Sequence, residues 1–260
     1  MIGRSLPAEL HIGGVRIIIM DAHNQILPYW FEEHLKRGRS LVALRIDEHH
    51  DMFNGCPSLP ATEGRRPADF LVRILKHLPE YSERLVNEGN FTCPAFHYGV
   101  LGALYHIDPR RDGVDAYGRV LLSAPVDPPR TKEVPLLLGG RRTRWIVWDE
   151  ASRRLRSQGC KQSPVPEMIS EEELFSDLRG SRLPIVIGFD LDGLYGLSDR
   201  GPTDRVILER LERVRRVLQG TPMPAFVCLV RSQRPKAYVP PDRVDDLEEI
   251  ALGIIESAFG

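Results

Sequence analysis

Short apolar runs alternate with amphipathic stretches along this chain. Val15–Met20 (VRIIIM), Leu41–Ile46 (LVALRI), Pro184–Phe189 (PIVIGF) and Ala225–Val230 (AFVCLV) are brief, apolar and mostly rich in β-branched residues, which predicts buried strands. The stretches between them carry helical periodicity. Ile26–Lys36 reads as a helix with Pro28 in its first turn, and Pro67–His77 as one with Phe70, Leu71, Ile74 and Leu75 on one face. Glu171–Leu178 reads as a helix capped by Ser170. Thr203 caps a further helix that runs to about Leu218 and ends at Gly220. Asp242–Ser257 closes the chain, with Val244, Leu247, Ile250, Ala251 and Ile254 facing inward. In the middle, Val100–His106, Arg119–Ala124 and Arg144–Trp148 are strand candidates, the first also compatible with helix. Pro125–Pro135 and Ser157–Pro166 have loop composition. The alternation predicts an α/β fold of three layers, a mostly parallel sheet with helices on both faces. No linker separates two cores, so residues 1–260 read as a single domain.

Polar clusters follow three of the strands directly. Asp21-Ala22-His23 follows VRIIIM, Asp47-Glu48-His49-His50-Asp51 follows LVALRI, and Asp190-Leu191-Asp192 follows PIVIGF. In an open α/β sheet ligands bind outside the carboxyl ends of the strands, so these clusters are expected at one edge. Carboxylates gathered there repel one another unless a cation lies between them. A mixed set of imidazoles and carboxylates favours Mn²⁺, Fe²⁺ or Zn²⁺ over Ca²⁺. His23, Asp47, His49, Asp51, Asp190 and Asp192 are therefore the candidate metal ligands. They exceed the needs of a single catalytic ion.

Composition narrows the remaining classes. The net charge of −1 gives no electrostatic case for nucleic acid or an anionic membrane. No apolar run reaches the length of a membrane span, and the N-terminal stretch Leu10–Met20, which carries His11 and Arg16, does not read as a signal peptide. Cys56, Cys93, Cys160 and Cys228 are scattered, which suits a reducing cytoplasm rather than a disulfide framework. The arginine groups 141, 142, 144 and 153, 154, 156 read as solvated surface. The oligomeric state stays open, a homo-oligomer included.

The D-x-H-x-D run of Asp47–Asp51, with the later Asp190-Leu191-Asp192-Gly193-Leu194, resembles the signatures of the arginase (ureohydrolase) superfamily. The upstream Asp21-Ala22-His23 is similar to that superfamily's first ligand motif. The chain is most similar to a divergent branch that contains the peptide arginases of ribosomal peptide biosynthesis. The Val230-Arg231-Ser232 strand end, Tyr238-Val239-Pro240-Pro241 and the terminal helix share in that similarity. The resemblance implies an arginase-like fold and two Mn²⁺ ions. One would be bound by His23, Asp51 and the bridging Asp47 and Asp190, the other by His49, Asp192 and the same bridges. Asp21 would orient a ligand from behind. The implied activity is hydrolysis of arginine in a precursor peptide to ornithine and urea.

The chain departs from arginases in substrate recognition. Residues that would grip free α-amino and α-carboxylate groups have no clear match after Asp51, which favours a peptidyl arginine. The acid that protonates the leaving amine is sought in His97 or His106, with His97 preferred because Asn90–Gly99 looks like a loop at the site. The acidic partner of the guanidinium is sought among Glu48, Asp149 and Glu150. Alternatives are a ureohydrolase acting on a free guanidine and a single-ion zinc deacetylase, to which the adjacent His49-His50 would be suited. A non-catalytic binder is the third, disfavoured by the intact ligand set.

Overall fold

A computed structural model describes residues 5–52, 77–97, 99–117, 119, 133–138, 141–149, 154–157, 166–196, 199 and 204–260. Its centre is an eight-stranded mixed sheet. Five parallel strands form the middle: β2 (Val15–Met20), β11 (Phe226–Val230), β10 (Ile185–Asp190), β3 (Leu41–Ile46) and β4 (Leu101–Ile107), adjacent in that order. Antiparallel strands flank them, with β1 (Ala8–Ile12) beside β2, and β5 (Val114–Tyr117) then β9 (Glu167–Ile169) beyond β4. The predicted α/β class and mostly parallel sheet are thus present.

Alternation along the strands separates two apolar layers. Val42, Leu44 and Ile46 of β3 join the layer formed with α3 (Glu171–Gly180), α4 (Asp204–Gly220) and α5 (Val244–Phe259). Leu41 and Ala43 join the opposite layer, which contains Trp30 and Phe31 of α1 (Leu27–Arg37), Phe96 of α2 (Thr92–His97) and the helical stretch 77–84. The same period places Arg45 and then Asp47 on the α1 side of the sheet.

Several elements differ from expectation. Val100–His106 is strand rather than helix, matching β4 within a residue. The hairpin of β1 and β2 was not expected. It turns at Gly13-Gly14, where both residues have positive φ, and β1 is a half-exposed strand with weak apolar signal. β5 and β9 were also not expected, being short strands of four and three residues. The expected loop Pro125–Pro135 gives way at its end to β6 (Glu133–Leu138), in which Pro135 sits beside a register irregularity on an outer strand. Arg144–Trp148 lies within the longer β7 (Arg141–Asp149). β8 (Arg154–Ser157) pairs with it, so part of the second arginine group is strand. Residues 67–76 of the expected Pro67–His77 helix, residues 120–124, residues 158–165 and Thr203 lie outside the described residues. Among the described residues, no helix is long and apolar enough to cross a membrane.

Long-range arginine contacts fix the loops above the strands. Arg213 of α4 donates to the carbonyls of Asp108 (2.7 Å) and Gly113 (2.8 Å) and pairs with Glu171 (2.8 Å). Arg210 donates to the Leu194 carbonyl (2.8 Å) and to Asp199. The segments that follow β4 and β10 are thereby tied to one helix.

Candidate metal centre

Strand register brings the polar clusters together. Phe189 pairs with Ile46, and Asp190 with Val230, which itself pairs with Met20. Asp47, Asp190, Ser232 and the 3-10 turn His23–Ile26 therefore emerge at one sheet edge. Two groups with convergent donor atoms result: His23, Asp47 and Asp190, and Asp47, His49 and Asp192. Asp47 belongs to both. The sixth predicted ligand, Asp51, places Oδ2 3.4 Å from His23 Nδ1. All six predicted ligands meet within this one centre.

The inner group is buried. His23 Nδ1 lies 2.9 Å from Asp47 Oδ2 and 3.1 Å from Asp190 Oδ2. Its ring stacks on Phe91 at 4.7 Å, and its Nε2 has no hydrogen-bond partner among the described residues. Ser232 Oγ lies 2.7 Å from both Asp190 oxygens and donates to one of them. The outer group opens to solvent through His49, whose side chain is 46% exposed. His49 Nδ1 lies 3.0 Å from Asp192 Oδ2, and the His49 amide donates to Asp47 Oδ1 (2.6 Å). Asp47 thus turns Oδ2 inward and Oδ1 outward.

Two positions at this centre have unusual backbones. Asp51 (φ 47°) and Ser232 (φ 52°) occupy the left-handed region without being glycine. Such conformations persist where the surroundings dictate them, and they gather at functional sites. Thr92 Oγ1 donates to the Asp51 carbonyl and helps to hold it there.

Arg45 is the residue that the sequence reading missed. It is fully buried, and its Nη2 donates to Asp47 Oδ2, to Asp51 Oδ2 (2.6 Å) and to the His49 carbonyl (3.3 Å). Nη1 donates to the His50 carbonyl (2.9 Å), and the guanidinium carbon sits 4.9 Å from the centre of the Phe91 ring. A signal was present: a charged residue inside a buried strand, two positions before Asp47 and so on the same face.

Electrostatics reflect the crowding. Burial opposes ionisation of Asp47, but Arg45 and His23 outweigh it and hold this carboxyl below its ordinary range. Burial and the charge of Arg45 oppose protonation of His23, yet Asp47 and Asp190 raise it to about 10. Burial pushes Asp51 up to about 7 against the pull of Arg45, and pushes Asp192 well up with help from Asp190 and Asp47. The hydrogen bond to Asp192 raises His49 to about 9. Carboxylates held against their own repulsion, with imidazole nitrogens among them, are a donor set suited to a divalent ion. The donors of the outer group fit an ion and, among the described residues, are free of any arginine on Asp47 Oδ1 or Asp192. At the inner group the donors fit, but Arg45 already contacts Asp47 Oδ2, and Asp51 Oδ2 beside it.

The other predicted residues are placed as follows. Glu48 pairs with Arg110, and its amide approaches Asp192 Oδ1 at 3.3 Å. His97 ends α2, with its side chain outside the described residues. Asp149 ends β7, its side chain likewise outside, as is Glu150 altogether. The Asp21 carboxylate lies 3.6 Å from Arg234 Nε. His106 is buried beside His50 (ring centres 4.3 Å apart), with Asp115 Oδ2 3.5 Å from its Nδ1. Burial lowers the pKa of His106, and that of His50 to about 4. Arg111 already pairs with Asp115 in this side group, and Tyr117 bonds His50 Nδ1 at 2.6 Å.

No protein-family model matches the chain, and no curated protein does either.

Proposed function

We propose that this protein is a metal-dependent, arginase-like hydrolase of the guanidinium C–N bond, acting on an arginine within a precursor peptide. The observation that carries the reading is the pair of His/Asp groups sharing Asp47 at the carboxyl edge of a parallel sheet. The D-x-H-x-D and D-x-D motifs that supply those ligands are the ones in which the chain resembles the ureohydrolases. In the form that the resemblance implies, two Mn²⁺ would be held by His23, Asp47, His49, Asp51, Asp190 and Asp192.

A bound divalent ion lowers the pKa of water and supplies a hydroxide nucleophile near neutral pH. The chain's own groups do the rest. Asp47 Oδ1, His49 and Asp192 would hold the outer ion where His49 opens to solvent. Ser232 fixes the rotamer of Asp190, and Phe91 that of His23. Glu48, whose main-chain amide lies against Asp192, offers its carboxylate for the substrate guanidinium, which would take the place of Arg110 on it. Water adds to the guanidinium carbon and the C–Nε bond breaks. The leaving nitrogen takes a proton, for which His97 is the proposed donor, giving peptidyl ornithine and urea.

The test is to incubate Mn²⁺-loaded protein with free arginine and with an arginine-containing peptide, then measure urea and peptide mass. Urea release with loss of CN₂H₂ from the peptide supports the reading. Turnover of free arginine alone would instead favour an ordinary ureohydrolase, and inertness toward both would refute guanidinium hydrolysis.

A further inference from the structure

We infer that the guanidinium of Arg45 takes the place of the inner ion, so that this protein holds one divalent ion, at Asp47, His49 and Asp192. The inference rests on the metal reading above and changes its ion count. Arg45 Nη2 donates to Asp47 Oδ2 and Asp51 Oδ2, and lies 3.4 Å from His23 Nδ1. Those are inward-facing donor atoms that an inner ion would need. A guanidinium nitrogen and a divalent ion cannot share them, since both are cations and both need the same lone pairs.

Arg45 has no route of retreat. Its side chain is completely buried, and it carries its charge at every working pH. The carbonyls of His49 and His50 accept from its two terminal nitrogens, and the Phe91 ring covers the guanidinium. Moving it off the carboxylates would strand a buried charge, a change more costly than most ion pairs can recover. Gly188 of β10 pairs with Arg45 in register and lies beside its stem.

Arg45 reaches the outer group only at Asp47 Oδ2 and the His49 carbonyl, whereas Asp47 Oδ1 accepts from the His49 amide. His49 Nδ1 and Asp192 Oδ2 complete a three-donor set with solvent access through His49, the arrangement of a catalytic site with an open position. One protein-borne cation inside and one exchangeable divalent cation outside would together offset most of the charge of Asp47, Asp51, Asp190 and Asp192.

The test is Mn²⁺ titration of the intact protein, read by metal analysis after gel filtration and by electron paramagnetic resonance. The wild type is expected to retain one Mn²⁺ per chain with the six-line signal of an isolated ion. Arg45→Met, which removes the charge but keeps an apolar stem, is expected to retain two and to show the exchange-coupled signal of a pair. Arg45→Lys, which keeps the charge, is expected to retain one. Two ions with a coupled signal in the wild type would overturn the inference while leaving the metal reading intact, and that measurement stands even where a variant fails to fold. A folded Arg45→Met that still retains one ion would also overturn it. Absence of bound Mn²⁺ in wild type and variants would overturn the metal reading, and this inference with it.

Discussion

Gly188 lies directly across the β3–β10 ladder from Arg45, in contact with the space that also holds His23 and Ile26. An added Cβ would sit 3.2 Å from Ile26 Cδ1 and 3.5 Å from His23 Nε2, both in a packed layer. Gly188→Ala should therefore destabilise the protein by about 1–3 kcal/mol through overpacking. Its Mn²⁺ affinity should fall less than that of a ligand variant, because the outer donors are one strand-turn away. Urea denaturation with and without Mn²⁺ measures both. An unchanged midpoint would show that the glycine has no steric role.

Asp192 is a buried carboxylate whose neighbours Asp190 and Asp47 push its pKa up. Asp192→Asn removes an outer ligand and also removes that repulsion. The metal-free variant is expected to melt no lower than the wild type, while its Mn²⁺ retention is lost. Calorimetry of the apo proteins paired with metal analysis checks this. A variant that keeps its ion would exclude Asp192 from the ligand set.

The convergence of the six candidate residues was legible in the sequence because each follows a strand whose apolar run is unmistakable, and parallel strands deliver their ends to one edge. Arg45 was not legible as a site residue. Inside LVALRI it reads as one polar exception in a strand, and only the fold shows that its guanidinium meets Asp47 and Asp51. Asp115 and Ser232 were missed for a related reason. Each is a single polar residue, on the short strand β5 or just past β11, and the contacts of Asp115 with His50 and of Ser232 with Asp190 join residues far apart in sequence. The hairpin at Gly13-Gly14 was readable in principle, but Ala8–Ile12 alternates buried and exposed positions too weakly to stand out.

Ser170 and Glu173 form a reciprocal cap on α3. The Glu173 amide donates to Ser170 Oγ (3.2 Å), and the Ser170 amide donates to Glu173 Oε2 (3.0 Å). Ser170→Ala should cost about 1 kcal/mol. Because Glu171 of the same turn holds Arg213, any further loss would report loosening of the 108–113 segment. Chemical denaturation gives the value, and a neutral outcome would mean that tertiary contacts alone fix the start of the helix.

His34 provides the acid response away from the metal centre. It is buried on α1, where burial lowers its pKa and the Arg39 carbonyl, 2.8 Å from Nδ1, partly opposes the shift. A folded pKa below the unfolded value of about 6.5 means that the stability contribution is present above that pH and is lost as pH falls below it. His34→Gln, which can still donate to Arg39, should flatten the loss of stability between about pH 6.5 and pH 5. Denaturation midpoints across that window decide. An identical acid slope in both proteins would remove His34 as the cause.

Glu48 and Arg110 make the last case, since the pair resembles the recognition event proposed for the substrate. Arg110 holds Asp108 through Nε (2.8 Å) and Nη2 (3.0 Å) and reaches Glu48 with Nη1. Glu48 therefore already binds a guanidinium, one residue along from Asp47. A substrate arginine must compete with Arg110 for it, so the two side chains have opposite expected effects. Glu48→Gln should raise KM for an arginine-containing peptide by about tenfold or more, because a charge-assisted contact is lost while the ion ligands are kept. Arg110→Gln should lower KM, because the competitor for Glu48 is removed. Mn²⁺ retention should be unchanged in both, which separates this role from ligation. The measurement is peptide turnover against concentration for the three proteins, with bound metal counted in each preparation. A rise in KM for both variants would show that the pair acts as a structural unit that shapes the loop. Loss of Mn²⁺ from Glu48→Gln would place Glu48 among the groups that support the ion rather than the substrate.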